Sequence, residues 1–224
     1  MKAMILAAGR GRRLRPLTDH QPKSLIKVGG KPLIEWHLRA LAGAGFEQVV
    51  INLAWHGEQI REQIGEGSAL GIPVSYSDEG DHALDTGGGI HQALPLLGDA
   101  PFAVLNADVF TDYPFQRLRQ CQPDGAHLVM VPNPEHNPQG DFALNGDQVC
   151  ASGESRYTFA GIGVYHPSLF ENHAPGEYRL TEVLSPAMAE GQVTGELYEG
   201  LWIDVGTPER LAQARAYPRQ GAGC

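Results

Sequence analysis

Along its first half the chain repeats one rhythm: a short apolar run, a glycine- or proline-bearing break, then a stretch with apolar residues at helical spacing. Lys2–Ala8 is continuously apolar after Lys2, as expected of a strand covered on both faces of a parallel sheet. Residues 9–31 predict a long loop with a short extended piece around Leu25–Val28. Loops of that length usually carry function. A helix is predicted from Lys31-Pro32 to Ala44, with Pro32 at a first helical position and Leu33, Trp36, Leu38 and Leu41 as its stripe. Val49–Leu53 predicts the next strand, residues 55–64 a helix, and Ile72–Ser77 a further strand. A glycine-led helix follows over 85–97, then an apolar strand over 102–108 that ends in an acid. Strands alternating with helices imply parallel βαβ units and an α/β fold. Ligands in such folds sit at the carboxyl ends of the strands. The Gly9 loop and Asp108 both lie at such ends.

The second half is less regular. Strands are expected over 127–132, 141–145 and 157–165, with a Pro/Asn-rich connection at 133–140. Helices are expected over 181–190 and after Gly206-Thr207-Pro208. No repeat or composition break divides the chain, so residues 1–218 read as one domain and 219–224 as a disordered tail.

Composition narrows the class. With 42% hydrophobic and 19% charged residues in 224, the chain is an ordinary globular one. No apolar stretch approaches the ~18 residues that span a bilayer. The opening "MKAMILAAG" is too short for a signal-peptide core and runs straight into arginines. Cys121, Cys150 and Cys224 are odd in number and far apart, which fits a reducing cytoplasm rather than a disulfide framework. The nine histidines show no helical ligand spacing.

Charge is the feature that changes the picture. The net charge is −9, yet residues 1–31 carry eight basic residues against Asp19 alone. Arg10, Arg12, Arg13 and Arg15 crowd one glycine-bearing loop, and all four lysines lie in this segment. A solvated basic face is one reading; a local anion site is the other, favoured by the setting after a strand. A nucleic-acid surface is disfavoured, because the patch is short, lacks an aromatic platform, and belongs to an acidic protein. "GRGRRL" departs from the dinucleotide fingerprint at Leu14, and no Walker pattern is present. Glycines let backbone N–H groups approach an anion, and Arg forks match phosphate oxygens. Lys23 can add a compact point charge to the same anion. Asp108 and Asp204 each follow apolar residues; each can be a turn or cap, or ligate a hard cation. Gly87, Gly88 and Gly89 are either a hinge or a surface on which a flat ring can lie. Two acids, a basic loop and a glycine-rich turn are together what metal-assisted phosphoryl or nucleotidyl transfer requires. Serine and cysteine hydrolase patterns are absent.

In series, "LAAGRGRRLRPLT…PKSL", "LDTGGG", "NAD", "FAGIGVY" and "WIDVGTPERL" resemble the sugar-1-phosphate nucleotidyltransferases from residue 6 to residue 211. The context "YSDEG…LDTGGGI" and "DVFTDYPF" looks most like the uridylyltransferases of bacterial cell-wall recycling. The resemblance implies a Rossmann-like three-layer α/β/α fold with a mixed, mostly parallel sheet. Residues 1–110 would bind nucleotide, 111–200 would form a small sugar-binding lobe, and 208–217 a C-terminal helix. It implies UTP and a sugar 1-phosphate as substrates, Mg²⁺ as cofactor, and a monomer or small homo-oligomer. Ala7, Ala8 and Gly9 would hold ribose and base; Gly11, Arg12 and Arg13 the triphosphate, with Arg13 on the departing pyrophosphate. Lys23 would neutralise the reacting phosphates, Thr86, Gly87 and Gly88 would help recognise uracil, and Asp108 and Asp204 would hold Mg²⁺. Asn106, Asp141, Glu154 and Gly161 would contact the sugar. An acidic substituent on that sugar would need a cation, with Arg156 and Arg179 the candidates. Rival readings are another sugar 1-phosphate, phosphocholine, a nucleotide-sensing module without turnover, or an NAD-dependent oxidoreductase.

Overall fold

The computed structural model describes residues 1–80 and 82–217. The expected tail at 219–224 lies outside the described residues. In chain order the strands and helices begin with β1 (Ala3–Leu6), β2 (Lys27–Val28), β3 (Lys31–Pro32), α1 (Leu33–Gly43), β4 (Val49–Leu53) and α2 (Gly57–Ile64). Then come β5 (Val74–Asp78), α3 (Asp85–Leu97), β6 (Phe102–Asn106), β7 (Val109–Thr111), α4 (Gln116–Gln120) and β8 (Ala126–Val131). The remainder is β9 (Phe142–Asn145), β10 (Gln148–Cys150), β11 (Arg156–Tyr165), α5 (Leu180–Ala189), β12 (Val193–Leu197), β13 (Trp202–Asp204) and α6 (Pro208–Ala216).

One nine-stranded sheet runs through the molecule in the order β5-β4-β1-β6-β11-β8-β12-β10-β9. Its first four strands are mutually parallel, with Ile5 of β1 between Ile51 of β4 and Leu105 of β6. Every residue of β4 is buried, which is why these strands read as unbroken apolar runs. The second half is mixed: β11 lies antiparallel to β6 and β8, while β8 and β12 are parallel. Parallel pairing therefore prevails only on the β5–β6 side. The first crossovers step outward from β1 to β4 to β5, and the chain then returns to β6 on the other side of β1. That reversal is the switch point at which open α/β sheets bind ligands.

Two apolar layers cover the sheet. One face packs Ile34, Leu38 and Leu41 of α1 and Ile60 of α2 against Ile5, Ile51 and Leu105. The other packs α3 and α5 against Met4, Val50 and Val104. A third cluster ties the first loop to α6 through Leu14, Ile26, Phe110 and Leu211.

Helix α1 begins one residue later than expected. Pro32 instead pairs with Lys27 in a two-stranded ribbon, and the Leu33 N–H donates to Ile26 C=O at 3.0 Å. Strands β7, β10 and β12 and helix α4 had no clear pattern in the sequence.

Candidate active site

The last residues of the parallel strands line one cleft. Leu6, Asn52 and Asn106 come from β1, β4 and β6, and Glu79 follows β5 directly. The cleft holds about 260 Å³ and continues over Ala7, Ala8, Gly9, Lys23, Asp85, Thr86 and Asp108. Strand ends alternate with loops here because β1 stops where its ladder does, and the Ala107 N–H makes the last bond, 3.1 Å to Leu6 C=O.

The basic loop leaves β1 at this cleft. Gly11 adopts φ +60, and a Cβ there would lie 2.9 Å from Thr18 Cγ2 and 3.1 Å from Lys23 Cβ. Glycine thus lets the loop fold back on itself, secured by Thr18 Oγ1–H to Gly11 C=O at 2.9 Å. Helix α2 and the turn before it anchor the loop from outside: Trp55 Nε1–H donates to Thr18 C=O at 3.3 Å, and Gln59 to His20 C=O at 2.9 Å. Arg10 lies over the Trp55 ring at 5.0 Å, and Arg15 pairs with Asp19 at 3.0 Å. Arg12 and Arg13 are exposed and have no side-chain partner among the described residues. The loop therefore spends two arginines on its own shape and leaves two for an anion.

Lys23 forms an ion pair with Asp108, both lining the cleft. Asp204 is brought alongside by the β7–β13 ribbon, where Asp204 faces Val109 and the Val205 N–H donates to Asp108 C=O at 2.9 Å. Asp204 Oδ2 has Arg210 at 3.2 Å and His136 at 3.6 Å, while its Oδ1 is buried with no hydrogen-bond partner among the described residues. No cluster of three or more His, Cys, Asp or Glu able to hold a metal forms among the described residues. Two carboxylates on adjoining segments, one with an unsatisfied buried oxygen, do fit a hard divalent cation that takes its other ligands from phosphate and water.

Three expected sites look different in three dimensions. The amides of Gly87 and Gly88 both donate to Tyr178 C=O, at 3.0 and 3.1 Å. A Cβ at Gly87 would lie 2.5 Å from the Tyr178 ring, and one at Gly88 2.0 Å from Gly176 C=O. The glycines are needed for close approach of the 176–179 segment, so their amides are not free to read a base. Thr86 lines the cleft and its Oγ1 accepts the Leu180 N–H at 3.0 Å. Asp141 is consumed by structure: Oδ2 accepts the Phe159 N–H at 2.8 Å and Oδ1 accepts from Asn137 at 3.1 Å. Glu154 is exposed on the turn between β10 and β11 and does not line the cleft. Gly161 does abut the cleft residue Asn106; a Cβ there would lie 2.3 Å from Asn106 Nδ2. Of the two candidate cations, Arg156 donates to the carbonyls of Gln139, Gly140, Asp141 and Ala151 at 2.8–3.2 Å. Arg179 is 78% exposed and 4.0 Å from Asp85.

Asn52 and Glu79 were absent from the expected site. Asn52 Oδ1 accepts the Ala7 N–H at 2.7 Å, and its Nδ2 donates to Glu79 Oε1 at 2.7 Å. Glu79 Oε2 accepts the Leu84 N–H at 2.7 Å. This chain fixes the loop after β1 against the loop before α3. Burial pushes the Glu79 carboxyl up, opposed by its hydrogen bonds from Leu84 and Asn52. The available signal was a lone amide inside the apolar run "VVINL".

A cleft at the switch point, a lysine on an aspartate and a free arginine loop describe an enzyme that handles phosphate anions. Residues 2–220 match the nucleotidyl transferase family, and the chain belongs to it. It is 49% identical to the N-acetylmuramate alpha-1-phosphate uridylyltransferase of Neisseria meningitidis serogroup B, over 96% of this chain and 97% of that one. A protein of the same description from Caulobacter vibrioides is 32% identical, over 96% and 95% of the two chains. A solved structure described as a glucose-1-phosphate thymidylyltransferase of Bacillus anthracis shares the fold, with a TM-score of 0.84, 22% identity, and coverage of 96% and 94%. No described helix is long and apolar enough to cross a membrane.

Proposed function

We propose that the enzyme transfers a uridylyl group from UTP to N-acetylmuramate α-1-phosphate, giving UDP-N-acetylmuramate and pyrophosphate, in peptidoglycan recycling. The 49% identity spanning nearly the full length of both chains carries this reading. The cleft supplies matching chemistry. A sugar-phosphate oxygen attacks the α-phosphorus in line as the bond to the β-phosphate oxygen breaks. That oxygen is already anionic at neutral pH, so no general base is needed, and among the described residues no histidine lines the cleft. Catalysis then rests on positioning and on neutralising charge.

The backbone of Ala7, Ala8 and Gly9 receives ribose and base, and Gly11, Arg12 and Arg13 the triphosphate, with Arg13 on the leaving pyrophosphate. Lys23 turns from Asp108 to the reacting phosphates. Asp108 and Asp204 hold Mg²⁺, which when bound supplies positive charge to the transferring phosphoryl group. Thr86 meets the base. Glu79 has both oxygens accepting already, from Asn52 Nδ2 and the Leu84 N–H, so it shapes the base pocket by fixing the loop after β1 to the loop before α3. Asn106 and Gly161 meet the sugar, so residues 1–110 serve mainly the nucleotide and 111–200 the sugar. The enzyme acts in the cytoplasm, as a monomer or small homo-oligomer, without nucleic acid.

Pyrophosphate release from UTP, CTP, GTP and TTP with a panel of sugar 1-phosphates tests this. The highest kcat/KM is expected for UTP with N-acetylmuramate α-1-phosphate, by about tenfold or more over glucose or mannose 1-phosphate. A comparable preference for another sugar would replace the assignment. UTP binding without turnover on any sugar would leave a sensing module.

A further inference from the structure

We propose that Arg210 is the positioning residue of Asp204: it serves as that carboxylate's standing counter-charge and keeps the cation site weak until nucleotide arrives. This rests on the reading of Asp204 as a metal-holding group. Arg210 stands in the first turn of α6, its N–H 3.4 Å from Thr207 Oγ1, which fixes where its side chain starts. Its guanidinium is mostly enclosed, 14% exposed, with Nη2 3.2 Å from Asp204 Oδ2. The contact is charge against charge without an aligned hydrogen bond. Arg210 Nε and Nη2 and Asp204 Oδ1 are all buried with no hydrogen-bond partner among the described residues. Buried polar atoms are ordinarily satisfied; of these, Asp204 Oδ1 is the acceptor that a cation can use, while the two Arg210 donors leave the pair held by charge.

Gly206 makes the approach possible. A Cβ there would lie 2.1 Å from Arg210 Nη2 and 2.9 Å from Asp204 Oδ1. Any side chain would drive the guanidinium off the carboxylate. The order Asp204-Val205-Gly206-Thr207-Pro208-Glu209-Arg210 thus builds one unit: carboxylate, clearance, cap and counter-charge.

Asp108 has the parallel arrangement with Lys23. In the nucleotide-free enzyme each carboxylate therefore faces a cation, and a divalent ion arriving alone is repelled by both. A polyphosphate changes the balance with its own negative charge. Lys23, whose four-carbon stem lines the cleft, can transfer to it. Arg210 does not line the cleft and stays, holding Asp204 while Oδ1 keeps its lone pairs for the ion.

The test is Mn²⁺ binding to the full chain, followed by the EPR signal of free Mn²⁺, with and without UTP, alongside kcat. Arg210→Gln is expected to bind Mn²⁺ about fivefold tighter without nucleotide, because a nearby like charge is gone, and to lose about tenfold in kcat with the UTP KM kept. Arg210→Lys should keep the wild-type Mn²⁺ affinity and still lose kcat, since charge remains but the planar fork does not. Unchanged Mn²⁺ affinity and kcat in Arg210→Gln would overturn the proposal and make Arg210 a packing residue. Should that variant fail to fold, an unchanged kcat in Arg210→Lys would do the same. Asp204→Asn separates the two levels. If it leaves Mn²⁺ binding with UTP and kcat intact, the metal reading falls and this proposal with it. If it abolishes both while Arg210→Gln behaves as wild type, only the proposal falls.

Discussion

Arg156, at the start of β11, donates to four backbone carbonyls, whereas Arg12 and Arg13, in the loop after β1, donate to none among the described residues. The same contrast holds between carboxylates. Asp141 has both oxygens taken by Asn137 and the Phe159 N–H, while Asp108 lines the cleft with Lys23 as its one side-chain partner among the described residues. Around Arg156 the turns before β9 and before β11 are tied together by its side chain. Around Arg12 the loop is tied by Thr18, Trp55 and Gln59 instead, which leaves Arg12 and Arg13 exposed. A charged residue is available for chemistry where other groups have already met the structural demand.

Substitutions can break this contrast. Lys23→Ala should lower kcat by ~100-fold or more, the scale of losing one electrostatic group at the reacting phosphate. Steady-state kinetics check it, and a rise confined to the UTP KM would mean that Lys23 binds ground and transition states equally. Arg156→Ala should cost about 3 kcal/mol in urea unfolding, since charge-assisted bonds are lost and carbonyls left unpaired, while kcat of the folded fraction stays near wild type. Arg13→Ala should do the reverse: about tenfold off kcat, with unfolding free energy within about 0.5 kcal/mol of wild type as for an ordinary surface change.

A smaller effect is expected from pH. Burial raises the Glu79 carboxyl above its ordinary range, so on acidification it loses charge sooner than an exposed glutamate. The ionised form that accepts from Asn52 and the Leu84 N–H, and so holds the loop after β1 in place for UTP, is present above that raised value and lost as pH falls through it. The UTP KM should therefore climb on acidification in the wild type and change less in Glu79→Gln, measured over the same buffers. Smallest is Arg15→Ala, whose exposed pair with Asp19 should contribute less than about 0.5 kcal/mol and leave kcat unchanged.

How much was legible follows from what each element depends on. Val49–Leu53 and Asp85–Leu97 form over the expected residues, because a strand buried on both faces and a helix with a glycine start write their limits locally. The strands β7 and β12 do not. Val109–Thr111 is a strand because Trp202–Asp204 returns beside it, and "VTGEL" is one because it lies between β8 and β10. Pairing partners distant in sequence decided both. The cleft residues at the ends of β1 and β6 were readable from apolar runs that end in Gly or Asp. Glu79 was not, since it acts through Asn52 and Leu84. The triple glycine stands out in the sequence, but only the structure shows what fills the space: Tyr178 and Gly176 at Gly87 and Gly88, and Glu79 and Asn52 at Gly89.

The most direct measurement is ³¹P NMR of the enzyme mixed with Mg²⁺, UTP and N-acetylmuramate α-1-phosphate. Uridylyl transfer through this cleft predicts that UTP and sugar-phosphate resonances decline together while UDP-N-acetylmuramate and pyrophosphate grow in equal amounts. Conversion of UTP to UMP and pyrophosphate with the sugar phosphate untouched, or no change in any resonance, would contradict it.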